Sequence, residues 1–178
     1  PDQRTTRQVA EITERIGAEH VIEIVGSPVF TGSQAVTIRW IQQEQPDLWA
    51  RTRTILAPKD YLHLCLTGDV HSDPSDGSGT LLLDVQQRDW SAEILDALQI
   101  DAALLPTVQA STALAGRLTD RAAQALGLST GIPLVTGAAD TASSAVGAGI
   151  TSKETLLLTI STGGQLVLPA DKPHVDRA

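Results

Sequence analysis

The chain has 178 residues, 42% of them hydrophobic, which is enough to bury a sizeable core in one domain or a large piece of one. Its formal net charge of −8 argues against a general nucleic-acid or anionic-membrane surface, since either ordinarily needs a basic patch. No apolar run reaches transmembrane length and no charged-then-apolar leader opens the chain, so a soluble protein is expected; the single cysteine, Cys65, excludes an internal disulfide and a cysteine-built zinc site.

Taken from its start, the chain has no methionine and begins at Pro1, so it reads as an interior segment of a longer one. Thr5-Thr6-Arg7-Gln8 offers a capping box, and Val9, Ile12 and Ile16 follow at helical spacing until Gly17. After the apolar stretch 21–25 and Gly26, a second helix is predicted over 33–45, stopped by Pro46, with a short helical turn over 47–50. Residues 54–57 read as a short strand or extended entry to a helix that begins at Pro58, carries Tyr61, Leu62, Cys65 and Leu66, and ends at Gly68. Cys65 on this apolar stretch reads as a buried core thiol.

Residues 71–80 are rich in Pro, Gly, Ser and Asp and predict a loop. Their carboxylates do not fit a calcium loop, because the EF-hand register with its glycine at Gly77 puts Ser72, Pro74 and Leu83 at ligand positions. Side-chain to backbone hydrogen bonds are the expected source of order there. Leu81-Leu82-Leu83 predicts a buried strand, Trp90-Ser91 the start of a helix through Ile94, Leu95 and Leu98, Leu105-Pro106 an extended passage, and Thr119–Leu126 a helix ending at Gly127. The four histidines lack metal-ligand spacing, and neither a Gly-x-x-x-x-Gly-Lys nor a Gly-x-Gly-x-x-Gly run is present. Helices alternating with short strands, with no repeat, predict an α/β or α+β layered domain.

The candidate chemistry lies between residues 131 and 164. The run Ile132–Val135 predicts a buried strand, and Gly137-Ala138-Ala139 leaves room for close approach just before Asp140, which falls where a helix begins. From Thr141 to Gly149 every residue except Val146 is Gly, Ala, Ser or Thr, so no bulky side chain screens that helix start. Asp140 is a candidate general base for a hydroxyl; equally, Asp is a favoured helix cap, and the local pattern leaves both readings open. Two apolar runs, 156–160 and 165–168, flank Ser161-Thr162-Gly163-Gly164 and predict a hairpin. That turn satisfies the needs of a tight hairpin, and its amides and hydroxyls also suit phosphate oxygens. A base followed closely by a phosphate turn fits phosphoryl transfer.

Three stretches, Leu56-Ala57-Pro58-Lys59-Asp60-Tyr61-Leu62 with Leu66-Thr67-Gly68, Ser72–Thr80 through Asp84-Val85 to Arg88-Asp89-Trp90-Ser91, and Gly137-Ala138-Ala139-Asp140, together resemble the FGGY family of carbohydrate kinases, most closely its xylulose kinases. The resemblance implies an RNase H-like, actin-like α/β fold, with residues 1–178 forming most of the N-terminal domain without its first strands or the C-terminal domain. It implies that Asp140 is the base that accepts the sugar hydroxyl proton, and that Ser161, Thr162, Gly163 and Gly164 form the phosphate loop of an ATP and Mg2+ site. Asp2-Gln3-Arg4 resembles the end of a Trp-x-Asp-x-Arg pattern at the sugar pocket, so Asp2 and Arg4 join Thr141 as substrate-binding candidates. Thr141 stands where many xylulose kinases carry a sugar-contacting asparagine, and Ser161 where a glycine is usual. No residue is assigned to a metal. The implied activity is cytoplasmic phosphorylation of a ketopentose, D-xylulose first, with another sugar or polyol kinase (gluconate, ribulose, glycerol) or a non-catalytic sugar-binding relative as alternatives. The implied partners are the sugar and ATP, with no nucleic acid and no membrane, and a homodimer is allowed.

Overall fold

The computed structural model describes residues 3–160 and 163–175. The first half is helical. Helix α1 (Thr6–Ile16) ends at Gly17, whose positive φ of 97° breaks the run and redirects the chain into α2 (Ala18–Val25). The stretch 21–25, unassigned from sequence, is thus the buried side of a helix, with Val21, Ile24 and Val25 at i, i+3 and i+4. The capping box does not form. Gln8 is buried and its amide donates to Gln43 Oε1 at 2.8 Å, so it is drawn into the contact with the next helix and away from the helix start. That next helix, α3 (Gln34–Glu44), runs inside its predicted bounds, and Pro46 both ends it and opens α4 (Pro46–Arg51), where a missing N–H costs nothing.

Residues 54–57 are extended and tied down by Ile55 N donating to Leu104 O at 2.7 Å, without a strand ladder. Helix α5 (Pro58–Thr67) then reverses the sequence expectation. Its buried side chains are Asp60, His63 and Thr67, whereas Tyr61 and Leu62 are 61% and 57% exposed and Cys65 is exposed as well. The polar face wins because it meets buried ionic partners, described below.

The predicted loop 71–80 is more regular than a loop. Strand β1 (His71–Ser72) leads into helix α6 (Pro74–Gly77), capped by Asp73 accepting from Ser75 N, and then a 3-10 turn over Ser78–Thr80. Side-chain to backbone bonds order it as expected: Ser78 Oγ donates to Ser75 O and Thr80 Oγ1 to Gly77 O. Leu81, Leu82 and Leu83 are all buried, but only Leu83 enters β2 (Leu83–Asp84), which pairs antiparallel with β3 (Asp89–Trp90). Ser91 caps α7 (Ala92–Leu98) by accepting from Ile94 N.

Beyond a 3-10 turn at Ala102–Leu104, strand β4 (Thr107–Val108) lies parallel to β1. Strand β5 (Leu114–Arg117), not foreseen from sequence, pairs antiparallel with β6 (Pro133–Val135) around helix α8 (Asp120–Leu126), which Thr119 caps and Gly127 ends. The expected burial of 132–135 is not observed: Ile132 and Val135 are 39% and 56% exposed. Helix α9 (Asp140–Gly147) and the hairpin β7 (Leu157–Ile160) with β8 (Gly164–Val167) follow.

The main core joins α1, α2, α3 and α7 to the leucine run, around Ile12, Val21, Val36, Leu82, Ile94 and Leu98. A smaller cluster of Leu118, Ala122 and Ala123, backed by Leu66 and Leu134, seats α8 against α5 and β6. The two clusters hold the α6 turn on one side and the β6–α9 junction on the other.

Candidate active site

Asp140 is the first residue of α9 and is exposed, bordering a cleft of about 490 Å3 lined by Ser75, Asp76, Ser78, Gly79, Ala139, Asp140, Thr141, Ala142 and Val167. Ala139 takes the cap position, so Asp140 is not the helix cap. Its carboxylate accepts from Thr141 N at 2.6 Å and Thr141 Oγ1 at 3.3 Å, both on Oδ1; among the described residues none donates to Oδ2. Thr141 in turn accepts from Gln165 Nε2 at 3.4 Å, which links α9 to β8. Opposite stands the α6 turn. Ser78 and Gly79 also wall a second hollow of about 390 Å3 that includes Phe30 and residues 173–175.

Beneath the cleft floor lies an ionic network that the motif reading did not assign. Lys59 Nζ donates to Asp60 Oδ1 at 2.7 Å and to Thr136 O at 3.4 Å; it stands 3.3 Å from Asp73 Oδ1 and 3.9 Å from Asp76 Oδ2. Asp73, with no exposed surface, accepts on Oδ2 from Ser75 N at 3.0 Å, Ser75 Oγ at 2.5 Å and Ser111 Oγ at 2.8 Å. Burial pushes the Asp73 carboxyl upward, but the serine hydrogen bonds and the Lys59 charge outweigh it and hold it below the usual carboxylate range. Burial likewise works against the Lys59 charge, and Asp60 and Asp73 overcome it, raising its pKa. Asp76 differs. Burial, with Asp60, Asp73 and Asp140 nearby, lifts its carboxyl above the ordinary value despite Lys59.

The other predicted residues are distributed unevenly. Arg4 lies with its guanidinium 5.1 Å from the Trp40 ring centroid and does not line the Asp140 cleft. A Cβ built on Gly163 or Gly164 meets nothing within 4 Å, and Gly164 opens β8, paired with Ile160. Asp2, Ser161 and Thr162 lie outside the described residues. Among the described residues no group of three or more His, Cys, Asp or Glu is disposed to hold a metal. Lys59, Asp60, Asp73, Ser75, Asp76 and Ser111 were missed as site residues. The 56–62 and 72–80 motifs were the signal for all of them but Ser111, and neither motif shows the grouping, which depends on pairings across distant segments.

The layered α/β architecture is that of the RNase H-like, actin-like class of ATPases and sugar kinases, and it recurs in the solved xylulose kinase from Rhodospirillum rubrum, with a TM-score of 0.90 and 26% identity over 97% of this chain and 36% of that one. Residues 1–147 match the N-terminal domain of the FGGY family of carbohydrate kinases, and the chain belongs to that family. It is 37% identical over 174 residues to the xylulose kinase of Lactococcus lactis subsp. lactis, covering 98% of this chain and 34% of the relative. It is 33% identical over 153 residues to an autoinducer-2 kinase of Klebsiella pneumoniae subsp. pneumoniae, covering 84% and 28%. The chain thus spans about a third of the length of the curated relatives it matches.

Proposed function

We propose that the complete protein transfers the γ-phosphoryl group of ATP, as its Mg2+ complex, to a hydroxyl of a ketopentose, D-xylulose being the first candidate, in the cytoplasm. The observation that carries this reading is Asp140, at the head of α9 on an open cleft, with no donor to Oδ2 among the described residues. The substrate preference draws on the 37% identity to a xylulose kinase. In the reaction the sugar oxygen bonds to the γ-phosphorus, the bond from that phosphorus to the β,γ-bridging oxygen breaks, ADP leaves, and the hydroxyl proton passes to Asp140. Gly163 and Gly164, with Ser161 and Thr162, would lie beside the phosphates, and Mg2+ would neutralise charge on them. Positioning and charge stabilisation supply most of the acceleration in such transfers.

A second acceptor class is favoured by one observation, the 33% identity to an autoinducer-2 kinase, which is little lower than that to the xylulose kinase. The test is ADP release by the complete protein with MgATP on D-xylulose, L-xylulose, ribulose, gluconate and glycerol, beside Asp140→Asn. Turnover fastest on D-xylulose, falling by about 100-fold to 10,000-fold in the variant, is expected, that being the range for loss of a general base. Near-normal turnover by Asp140→Asn would remove it from the base role, and a different best sugar would reassign the acceptor.

A further inference from the structure

We infer that Ser75, aimed by the buried Asp73, is a positioning residue for Asp140: it fixes the β6–α9 junction so that the carboxylate faces the acceptor hydroxyl. The inference rests on the proposed role of Asp140 and extends it to residues 64 or more positions earlier in the chain.

The geometry is directional. Asp73 Oδ2 carries no proton, so the one hydroxyl hydrogen of Ser75 is committed to it at 2.5 Å, and the lone pairs of Ser75 Oγ point elsewhere. One of them accepts from Ala139 N at 2.9 Å, the amide adjoining Asp140. Reversing Asp73 to a neutral amide would let Ser75 turn; the carboxylate prevents it. The same segment is held at two further points that lead back to Asp73. Gly137 N donates to Ser111 O at 2.9 Å while Ser111 Oγ donates to Asp73, and Thr136 O accepts from Lys59, whose ammonium faces Asp73. Thr136 is fully buried, and Gly137 has a positive φ of 76° with Lys59 Cδ 3.5 Å from where a Cβ would sit. Every backbone position from 136 to 139 except Ala138 is therefore referred to one buried carboxylate. Displacement of a reacting group by about 1 Å lowers rates by about 100-fold, which is the effect this network guards against.

The experiment uses the complete protein and compares wild type, Ser75→Ala, Ser75→Thr and Asp140→Asn. Ser75 borders the open cleft, so the threonine methyl has room and its hydroxyl is retained. In Ser75→Ala, kcat is expected to fall at least about tenfold while equilibrium sugar binding stays within about twofold. Ser75→Thr is expected to restore most of the rate. Amide exchange in residues 136–141 is expected to quicken in Ser75→Ala alone, with exchange in the main core unchanged. A normal kcat in Ser75→Ala beside an inactive Asp140→Asn would overturn the positioning role while leaving the base in place. An active Asp140→Asn would overturn the base, and the exchange comparison would then decide whether Ser75 fixes the junction: unchanged exchange in Ser75→Ala would end the inference as well.

Discussion

Among single residues, Asp73 and Asp76 sit three positions apart on one turn and respond to the same lysine with opposite results. Asp73 gathers three serine donors and Lys59, so its charged form is favoured on folding. Its stabilisation is complete above the ordinary carboxylate pKa of about 3.9 and is lost as pH falls through the depressed folded value. Asp76, whose one ion-pair contact among the described residues is the more distant one to Lys59, is protonated more readily folded than unfolded, so its ionisation removes stability as pH rises from about 3.9 through its raised folded value. Asp76→Asn is therefore expected to raise the urea midpoint at pH 7 and to leave it nearly unchanged at pH 3. A lower midpoint at pH 7 would show that the Asp76 charge is satisfied in the folded protein.

At the scale of elements, the close approach of β5 to α5 depends on Gly116. Its φ is 141°, outside the range favoured by L side chains, and a Cβ there would stand 2.8 Å from Thr67 Cβ and 2.7 Å from Asp69 Oδ2. The β5–β6 register also shifts between Leu114 and Gly116, so the glycine serves as the bend that lays the strand over the C-terminal end of α5. Gly116→Ala is expected to destabilise the protein by about 2 kcal/mol or more, strain and overpacking each contributing about 1–3 kcal/mol, as measured by urea unfolding. An effect below about 0.5 kcal/mol, the usual range for a surface change, would mean that β5 shifts without loss. The inverted face of α5 follows the same logic of contact. Asp60 and His63 are buried on the side of α5 that meets β5 and β1, where Lys59 pairs with Asp60, while Tyr61 and Leu62 stay exposed.

Across the whole molecule, the described residues line the cleft from α6 and α9 and leave apolar side chains exposed on the final hairpin beside it. Leu158 and Leu166, paired across the final hairpin, are 57% and 65% exposed, and Ile160 is 79% exposed. No apolar stripe of this kind was evident in the sequence, where the same leucines read simply as strand residues. Phosphoryl transfer needs both the acceptor and the phosphate chain held, and this chain spans about a third of its curated relatives' length. The isolated 178-residue chain is accordingly expected to show no sugar-dependent ADP release and to bind a hydrophobic dye; measurable turnover would mean that these residues suffice for the transfer. Among the described residues no helix is long and apolar enough to cross a membrane. The sequence by itself determined the helices with strong periodicity and clear ends, α1, α3, α5, α7 and α8, because caps, prolines and apolar spacing act within a few residues. It also determined the final hairpin and the place of Asp140 at a helix start, and its motifs carried the family. Only the tertiary structure decided which face of α5 is buried, that Gln8 joins a neighbouring helix in place of a cap, that 132–135 lies at the surface, and that Lys59, Asp73, Ser75 and Ser111 meet beneath the cleft. Those outcomes depend on contacts between segments tens of residues apart, where burial and charge pairing outweigh any local preference.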